Sequence, residues 1–336
     1  MAEGADSGEV DLRGGVLTAL ASEVPLVARP FAAVARALGA EEAEVLSVAR
    51  ELRAERALKS LCAVFEPSLL GYRGTLAAVS VAEEAAEDVA HTLAEHASVT
   101  HVFERDDRYN VWFVVASEGA ARLRSVLDEA AARAGAHDVL ALADDRVMKL
   151  TLDFSSMDAD ADHGLPAAAL TLAREDRALV RLLQTDLPLV ARPFRELAAT
   201  LTECGYDVDE DWVLEHVVEW ARAGVLKRIA AVTTTHRAAL PVAVLALWPF
   251  SEGGSHASSA SAALAADSAV AHCYRVLPAL VTRPTVATLV LAASRAEAEE
   301  TIARLRHIPG LDAARVAYGV REVKRAPVRY FAEGDG

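Results

Sequence analysis

The chain has 336 residues, enough for two domains of about 150 residues each, and its 34 Lys+Arg against 49 Asp+Glu leave a formal charge of −15. That balance opposes a polyanionic partner over most of the surface, so no nucleic acid is expected as partner. A hydrophobic share of 53% with 25% charged residues describes a globular chain, and an aromatic share of 5% means a ring-binding site must use few rings.

In chain order, short helical patterns come first: Leu17 and Leu20, then Phe31 to Leu38, then Val45 to Leu52, followed by a β-prone run Leu58 to Phe65. A strand is expected at Gly74 to Val81, a helix at Glu83 to His96, strands at Val99 to Glu104 and Tyr109 to Ala116, a helix at Glu118 to Ala134, and a last strand at Val147 to Phe154. Ser155 to Gly164, with Pro166 after it, reads as a linker. A second series comes next. Leu179, Val180, Leu182 and Leu183 form one apolar face; Pro193 sits where a first helical turn tolerates proline, and Phe194, Leu197, Ala198 and Leu201 continue that helix. Trp212, Val213, His216, Val217 and Trp220 recur at helical spacing until Gly224, and Leu226 to Thr235 is again β-prone. Then come a strand at Leu240 to Trp248, a helix near Ser258 to Asp267, strands at Val270 to Val276 and Thr285 to Ala293, a helix at Arg295 to Arg306, and a strand at Arg315 to Phe331.

The two series are related. Pro25 to Phe31 (PLVARPF) recurs unchanged as Pro188 to Phe194, Lys59 to Val64 matches Lys227 to Val232, and Val99-Thr100-His101-Val102-Phe103 matches Val270-Ala271-His272-Cys273-Tyr274. The expected fold class is therefore α+β, in two tandem repeats. Each is a winged helix-turn-helix followed by a ferredoxin-like βαββαβ domain. The boundaries read 1–66, 67–154, a linker at 155–173, 174–236 and 237–336.

Winged helices suggest DNA, yet the third helices argue against it. Glu41, Glu42, Glu44, Glu51 and Glu55 outnumber the arginines up to Arg56, and Asp207, Asp209, Glu210, Asp211, Glu215 and Glu219 face Arg222 alone. Phosphate would repel both. Cys62, Cys204 and Cys273 form no C-x-x-C pair and are expected as reduced, buried thiols. His91 and His96 lack a carboxylate at matching spacing and His256 lies in a Gly/Ser-rich segment, so no metal site is expected. The acidic start, Met1 to Gly15, is unlike a signal peptide, and Ala238 to Ser251 is too short to span a bilayer. A soluble, cytoplasmic protein with no membrane partner is expected.

The order of a winged helix before a ferredoxin-like domain resembles the Lrp/AsnC regulators, with an effector-type second domain. The specific words, PLVARPF, Lys59 to Phe65 followed by Leu70-Gly71-Tyr72-Arg73, Val99-Thr100-His101, and Arg108-Tyr109-Asn110-Val111-Trp112-Phe113, resemble the siroheme decarboxylases over nearly the whole chain. Arg108 stands where that family's word, H-Y-N-L-W-F, begins with histidine, and the second half carries Leu280 to Thr288 instead of the word. The resemblance implies a carboxy-lyase converting siroheme to 12,18-didecarboxysiroheme for d1-type haem or alternative haem biosynthesis. It implies two usually separate paralogous subunits fused in one chain. The alternative is an Lrp/AsnC-like DNA-binding regulator with a small-molecule effector site.

Loss of carbon dioxide from a pyrrole acetate requires a positioned acid, and histidine titrates near working pH. His272 and His101 are the catalytic candidates, His272 ranked first. Rim carboxylates call for cationic forks, for which Arg105, Arg108, Lys149, Lys227, Arg228, Arg275, Lys324 and Arg325 are candidates. Tyr109, Trp112 and Tyr274, with Phe103, are candidates for a ring-facing wall. No cofactor is expected, because iron arrives inside the tetrapyrrole substrate. The halves are expected to form a pseudo-dimer, with a homodimer or association with related decarboxylase subunits left open.

Overall fold

A computed structural model describes residues 7–135, 139–142, 147–150, 170–233, 242–250, 257–276 and 285–332. Residues 155–169 of the expected linker, the Leu280 to Pro284 part of the second-half segment, and His256 lie outside them. The chain divides into two units, 1–71 with 168–237 and 329–336, and 72–167 with 238–328. The contiguous boundaries read from sequence thus become interleaved.

The helical unit contains α1 (Ser7–Ser22), α2 (Pro30–Leu38), α3 (Glu42–Ala54) and β1 (Leu58–Phe65), then α6 (Arg174–Leu183), α7 (Pro193–Glu203), α8 (Glu210–Arg222) and β7 (Leu226–Thr233). Proline occupies the first turn of both α2 and α7, where its missing N–H costs nothing. The preceding Arg29 and Arg192 share one backbone conformation, φ −125° and −128°. Their guanidiniums pair with Glu42 and Glu210, which open α3 and α8. The repeated heptapeptide is therefore a folding device. Phe31 and Phe194, both fully buried, anchor the two trios. Gly224, at φ 73°, ends α8 in the left-handed region that glycine enters without strain.

Each trio was expected to carry its own wing. Instead β1 and β7 pair with one another, antiparallel from Leu58↔Thr233 to Phe65↔Leu226. Among the described residues neither strand has a ladder partner within its own trio, and sharing one ribbon satisfies both. Phe65 meets Trp220 and Tyr330 edge-on at 6.3 and 5.9 Å. Tyr330 also exchanges two hydrogen bonds with Gln184. This contact draws the tail at 329–332 into the helical unit, so the strand expected to run to Phe331 stops earlier, at Arg325. Of the cysteines only Cys273 is buried; Cys62 is half-buried and Cys204, capping α7, is exposed.

The sheet unit holds β2 (Tyr72–Val79), α4 (Ala86–Glu95), β3 (Val99–Arg105), β4 (Val111–Glu118), α5 (Gly119–Arg133), β5 (Val139–Leu142) and β6 (Val147–Leu150). It continues with β8 (Val242–Pro249), α9 (Ala257–Ala266), β9 (Val270–Val276), β10 (Thr285–Ala292), α10 (Arg295–Leu305) and β11 (Arg315–Arg325). All nine strands form one sheet in the order β5-β2-β4-β3-β11-β8-β10-β9-β6. Periodicity does not reveal β5 and leads to a single last strand from Val147, whereas the structure has two short ones. The two halves exchange these last strands. Residues 315–318 of β11 pair with β8, while 319–325 pair with β3 of the first half. Likewise β5 pairs with β2, and β6 with β9 of the second half. Leu142 and Val147 are five positions apart, a reach of at most ~18 Å, so the two ends of the strand order return to each other.

Strand alternation splits the side chains into a helix side and an inner face. Val99, Val102, Val111, Phe113 and Val115 pack with Val89, Leu93 and Val126 of the helices. Val244, Trp248, Val270, Cys273 and Val290 do the same against Leu264, Ile302 and Leu305. The inner face is a separate cluster of Ala78, Trp112, Leu245, Ala287 and Ala317, with Leu76, Phe103, Tyr109 and Leu247 at its edges. Among the described residues no helix residue contributes to it, and both halves do.

Candidate active site

The two recurring histidines share a local device. In β3 the register slips between Val99 and His101, and in β9 it slips at the equivalent place, between Val270 and His272. A β-bulge inserts one residue and re-aims the side chains beyond it. Val99 and Val102, three apart, thereby share the helix side, as do Val270 and Cys273. His101 turns to the inner face, and Cys273 on the helix side leaves its neighbour His272 the opposite one. An unbroken strand could not place valines three apart on one face.

From His101 the inner row of β3 continues through Phe103 to Arg105. The His101 and Phe103 rings stack with centroids 5.9 Å apart and planes at 21°. His101 Nδ1 lies 3.0 Å from the Thr100 hydroxyl, which donates to the Val114 carbonyl at 3.3 Å. Across the strand pair from His101 stands Arg325 of β11. Arg325 forks onto Glu322, with Nε to Oε1 at 3.1 Å and Nη2 to Oε2 at 2.6 Å. Lys324 Nζ donates to the His96 carbonyl at 3.0 Å, at the C-terminal end of α4. Burial lowers the His101 pKa below the ordinary imidazole value; Arg325 and Lys324 lower it further, and Glu322 opposes them.

At the far end of the row Arg105 is 6% exposed, and burial lowers its pKa to about 10. Its Nη1 donates to the carbonyls of Ala243 and Ala317, both at 3.1 Å, and its guanidinium lies 5.6 Å from the Phe103 ring centre. This is where β11 leaves β8 for β3, and Gly319 sits opposite Arg105. A Cβ at Gly319 would come within 3.2 Å of the Ala243 carbonyl, so glycine keeps this crossing open. Arg105, expected as a substrate ligand, serves backbone carbonyls exposed by the change of partner.

The β3–β4 turn carries the remaining candidates. Trp112, 2% exposed and cross-strand from Phe103, donates from Nε1 to the Tyr109 carbonyl at 2.6 Å. Asn110 ties the turn to β2, exchanging hydrogen bonds with the Val81 backbone at 2.9 and 3.1 Å. Tyr109 borders the inner cluster, with the Arg108 and Arg315 guanidiniums 5.7 and 5.3 Å from its ring centre. Trp112 and its neighbours fill the inner face.

Lys149, Tyr274 and Arg275 are placed only by their backbones: Lys149 opposes Cys273, Tyr274 opposes Val147 and Ala287, and Arg275 opposes Val286. Their side chains lie outside the described residues. Lys227 and Arg228 belong to β7 of the helical unit, where Lys227 Nζ lies 3.4 Å from Glu66 and Arg228 opposes Val64. Among the described residues no cluster of three His, Cys, Asp or Glu could hold a metal ion, and no helix is long and apolar enough to cross a membrane. Sequence reasoning missed Asp107, Arg315 and Glu322, which are brought to this edge from distant or unremarkable positions.

Comparison with known proteins agrees along almost the entire chain. The siroheme decarboxylase NirDL-like HTH domain family matches residues 15–58 and 176–226, and the AsnC-like ligand binding domain family matches residues 69–149. The siroheme decarboxylase NirDL subunit of Paracoccus denitrificans is 31% identical over 307 residues, covering 90% of this chain and 91% of its own. The chain belongs to the siroheme decarboxylase family. A siroheme decarboxylase of Hydrogenobacter thermophilus is 27% identical over 325 residues, covering 95% and 94%. The NirD subunit of Pseudomonas aeruginosa, a separate polypeptide, is 38% identical over 125 residues, covering 37% of this chain and 83% of its own. A crystal structure of the siroheme decarboxylase NirDL shares the fold, with a TM-score of 0.74 at 24% identity over 96% of this chain and 95% of that one. The membership is with enzymes, and the DNA-binding alternative falls with it.

Proposed function

We propose that this chain is a carboxy-lyase that releases carbon dioxide from two acetate side chains of siroheme, giving 12,18-didecarboxysiroheme, with two paralogous subunit plans fused in one polypeptide. The observation that carries the reading is the bulged, inward-turned histidine beside a cation: His101 opposite Arg325, on a face bordered by Phe103, Trp112 and Tyr109. The recurrence of the same bulge at His272 supports the fusion of two plans. Separate subunits and single-chain forms both occur among the relatives. The reading places the enzyme in d1-type haem or alternative haem biosynthesis.

Decarboxylation breaks the bond between the acetate methylene and its carboxylate. Carbon dioxide leaves, the electron pair stays with the macrocycle, and a proton converts the methylene to a methyl group. Arg325, opposite His101 on the inner face, holds a rim carboxylate as a charge-assisted partner. An apolar wall around the departing acetate disfavours its charge and favours neutral carbon dioxide. His101 supplies the proton. With its pKa lowered, its protonated form is the stronger acid and its neutral form dominates at neutral pH. The protein's residues carry this chemistry without a resident cofactor, and iron belongs to the substrate.

Anaerobic incubation with siroheme tests the reading by mass spectrometry. The expected product is lighter by two carbon dioxides; an unchanged mass from a folded, tetrapyrrole-binding chain overturns it.

A further inference from the structure

Arg315 opens β11 and shares the inner face with Ala317, two residues on. It comes from the second half of the chain, yet it reaches the β3–β4 turn of the first. Its guanidinium stands over Tyr109, with Arg108 also against that ring. Two cations therefore flank an aromatic side chain at the edge of the inner cluster. Arg315 engages Asp107 through a fork, with Nε to Oδ2 at 2.8 Å and a second contact from Nη2 to Oδ1. The two partners differ in access: the Arg315 side chain is 40% exposed and that of Asp107 is 10% exposed. Asp107 also accepts the Tyr109 N–H at 3.1 Å, which fixes it within the turn.

We propose that Arg315 is a carboxylate-recognition residue of the inner-face site, with Asp107 as an internal stand-in for a substrate carboxylate; the inference rests on the decarboxylase reading above. The fork that holds Asp107 is the geometry by which a guanidinium takes any carboxylate. Because the guanidinium is solvent-accessible and its present partner is covered, an incoming polycarboxylate meets the arginine first. Asp107 holds Arg315 over Tyr109 until a rim carboxylate shares or replaces the contact. The charge of Asp107 thus competes with substrate, while its oxygen on the Tyr109 N–H supports the turn.

These two roles of Asp107 separate the inference from a simple clamp. Asp107→Asn removes the competing charge and keeps an oxygen for the Tyr109 N–H. Arg315→Gln removes the cation. If the pair only fastened the turn, both substitutions would weaken substrate binding. Anaerobic absorbance titration with siroheme is expected to show Kd raised about tenfold in Arg315→Gln, the scale of one hydrogen bond to a charged group. It is expected lowered about threefold in Asp107→Asn. Arg315→Lys, which keeps the charge without the fork, is expected between wild type and Gln. Kd values that rise together, or that do not change, overturn the proposal, provided circular dichroism shows folded variants. A wild-type chain that binds siroheme but releases no carbon dioxide overturns the decarboxylase reading, while the titration still decides Arg315. Absence of siroheme binding by the wild type overturns both.

Discussion

β3 and β9 carry the same bulge and the same histidine, but their neighbours differ. His101 stands opposite Arg325, with Lys324 and Glu322 in electrostatic reach. His272 stands opposite Leu150, the residue after Lys149. At the far end β3 has Arg105 clasping carbonyls of the second half, where the sequence match puts Val276 in β9. A bulge that aims a histidine inward can thus survive duplication, and around His101 the described side chains add a cation suited to a polycarboxylate. The sequence reading ranks His272 first; the cationic neighbours described in the structure are those of His101.

Removing each histidine is the most direct way to break this comparison. His101→Ala is expected to lower the rate of carbon dioxide release by about 10²–10⁴, the usual worth of a positioned acid. His272→Ala is expected to cost about tenfold or less, through packing. Steady-state rates on siroheme check both, and equal losses would show that the cations beside His101 do not select the working half. The second difference is structural. Arg105→Met leaves the Ala243 and Ala317 carbonyls without their donor, a loss of about 3 kcal/mol at the ~1–3 kcal/mol of one buried unsatisfied group each. Val276→Ala in β9 should cost less. Chemical denaturation of the two variants measures the gap, and similar midpoints would remove Arg105 as the clasp of its seam.

Much of this was legible from residues alone. The repeated heptapeptide, the helical spacing through Trp212 and Trp220, and the histidine words located both helical trios and both His-bearing strands. The bulge was not, because Val99-Thr100-His101-Val102 looks like an ordinary strand; only the three-residue spacing of Val99 and Val102, and of Val270 and Cys273, hints at it. The exchange of β6 and β11 was hidden for a different reason. Which strand a ladder joins depends on partners far away in sequence, and a four-residue strand such as β5 carries little periodicity of its own. Arg105 looked like a ligand because charge and proximity to a motif are visible in sequence, whereas carbonyls opened by a change of partner are not. Arg315 was missed because the turn it reaches lies in the other half of the chain.

The electrostatics around His101 appear as pH dependence. Burial is the largest cause of the lowered His101 pKa, and Arg325 is the next. A proton donor with a lowered pKa works best when protonated, so carbon dioxide release should rise as pH falls toward a limb below ~6.5, the ordinary imidazole value. Arg325→Gln removes one positive neighbour and leaves Glu322 without that partner, so both changes favour imidazolium. The limb should move up, by less than the remaining displacement due to burial. Stability carries the opposite sign. Between the folded and unfolded pKa values the unfolded chain binds the additional proton, so the contribution of His101 is fully present above the unfolded value and is lost as pH falls through the imidazole range. His101→Gln cannot titrate and should flatten that part of the stability curve. Rate profiles and denaturation midpoints between pH 5 and 8 test both statements, and a limb that stays fixed in Arg325→Gln would assign the acid to another group.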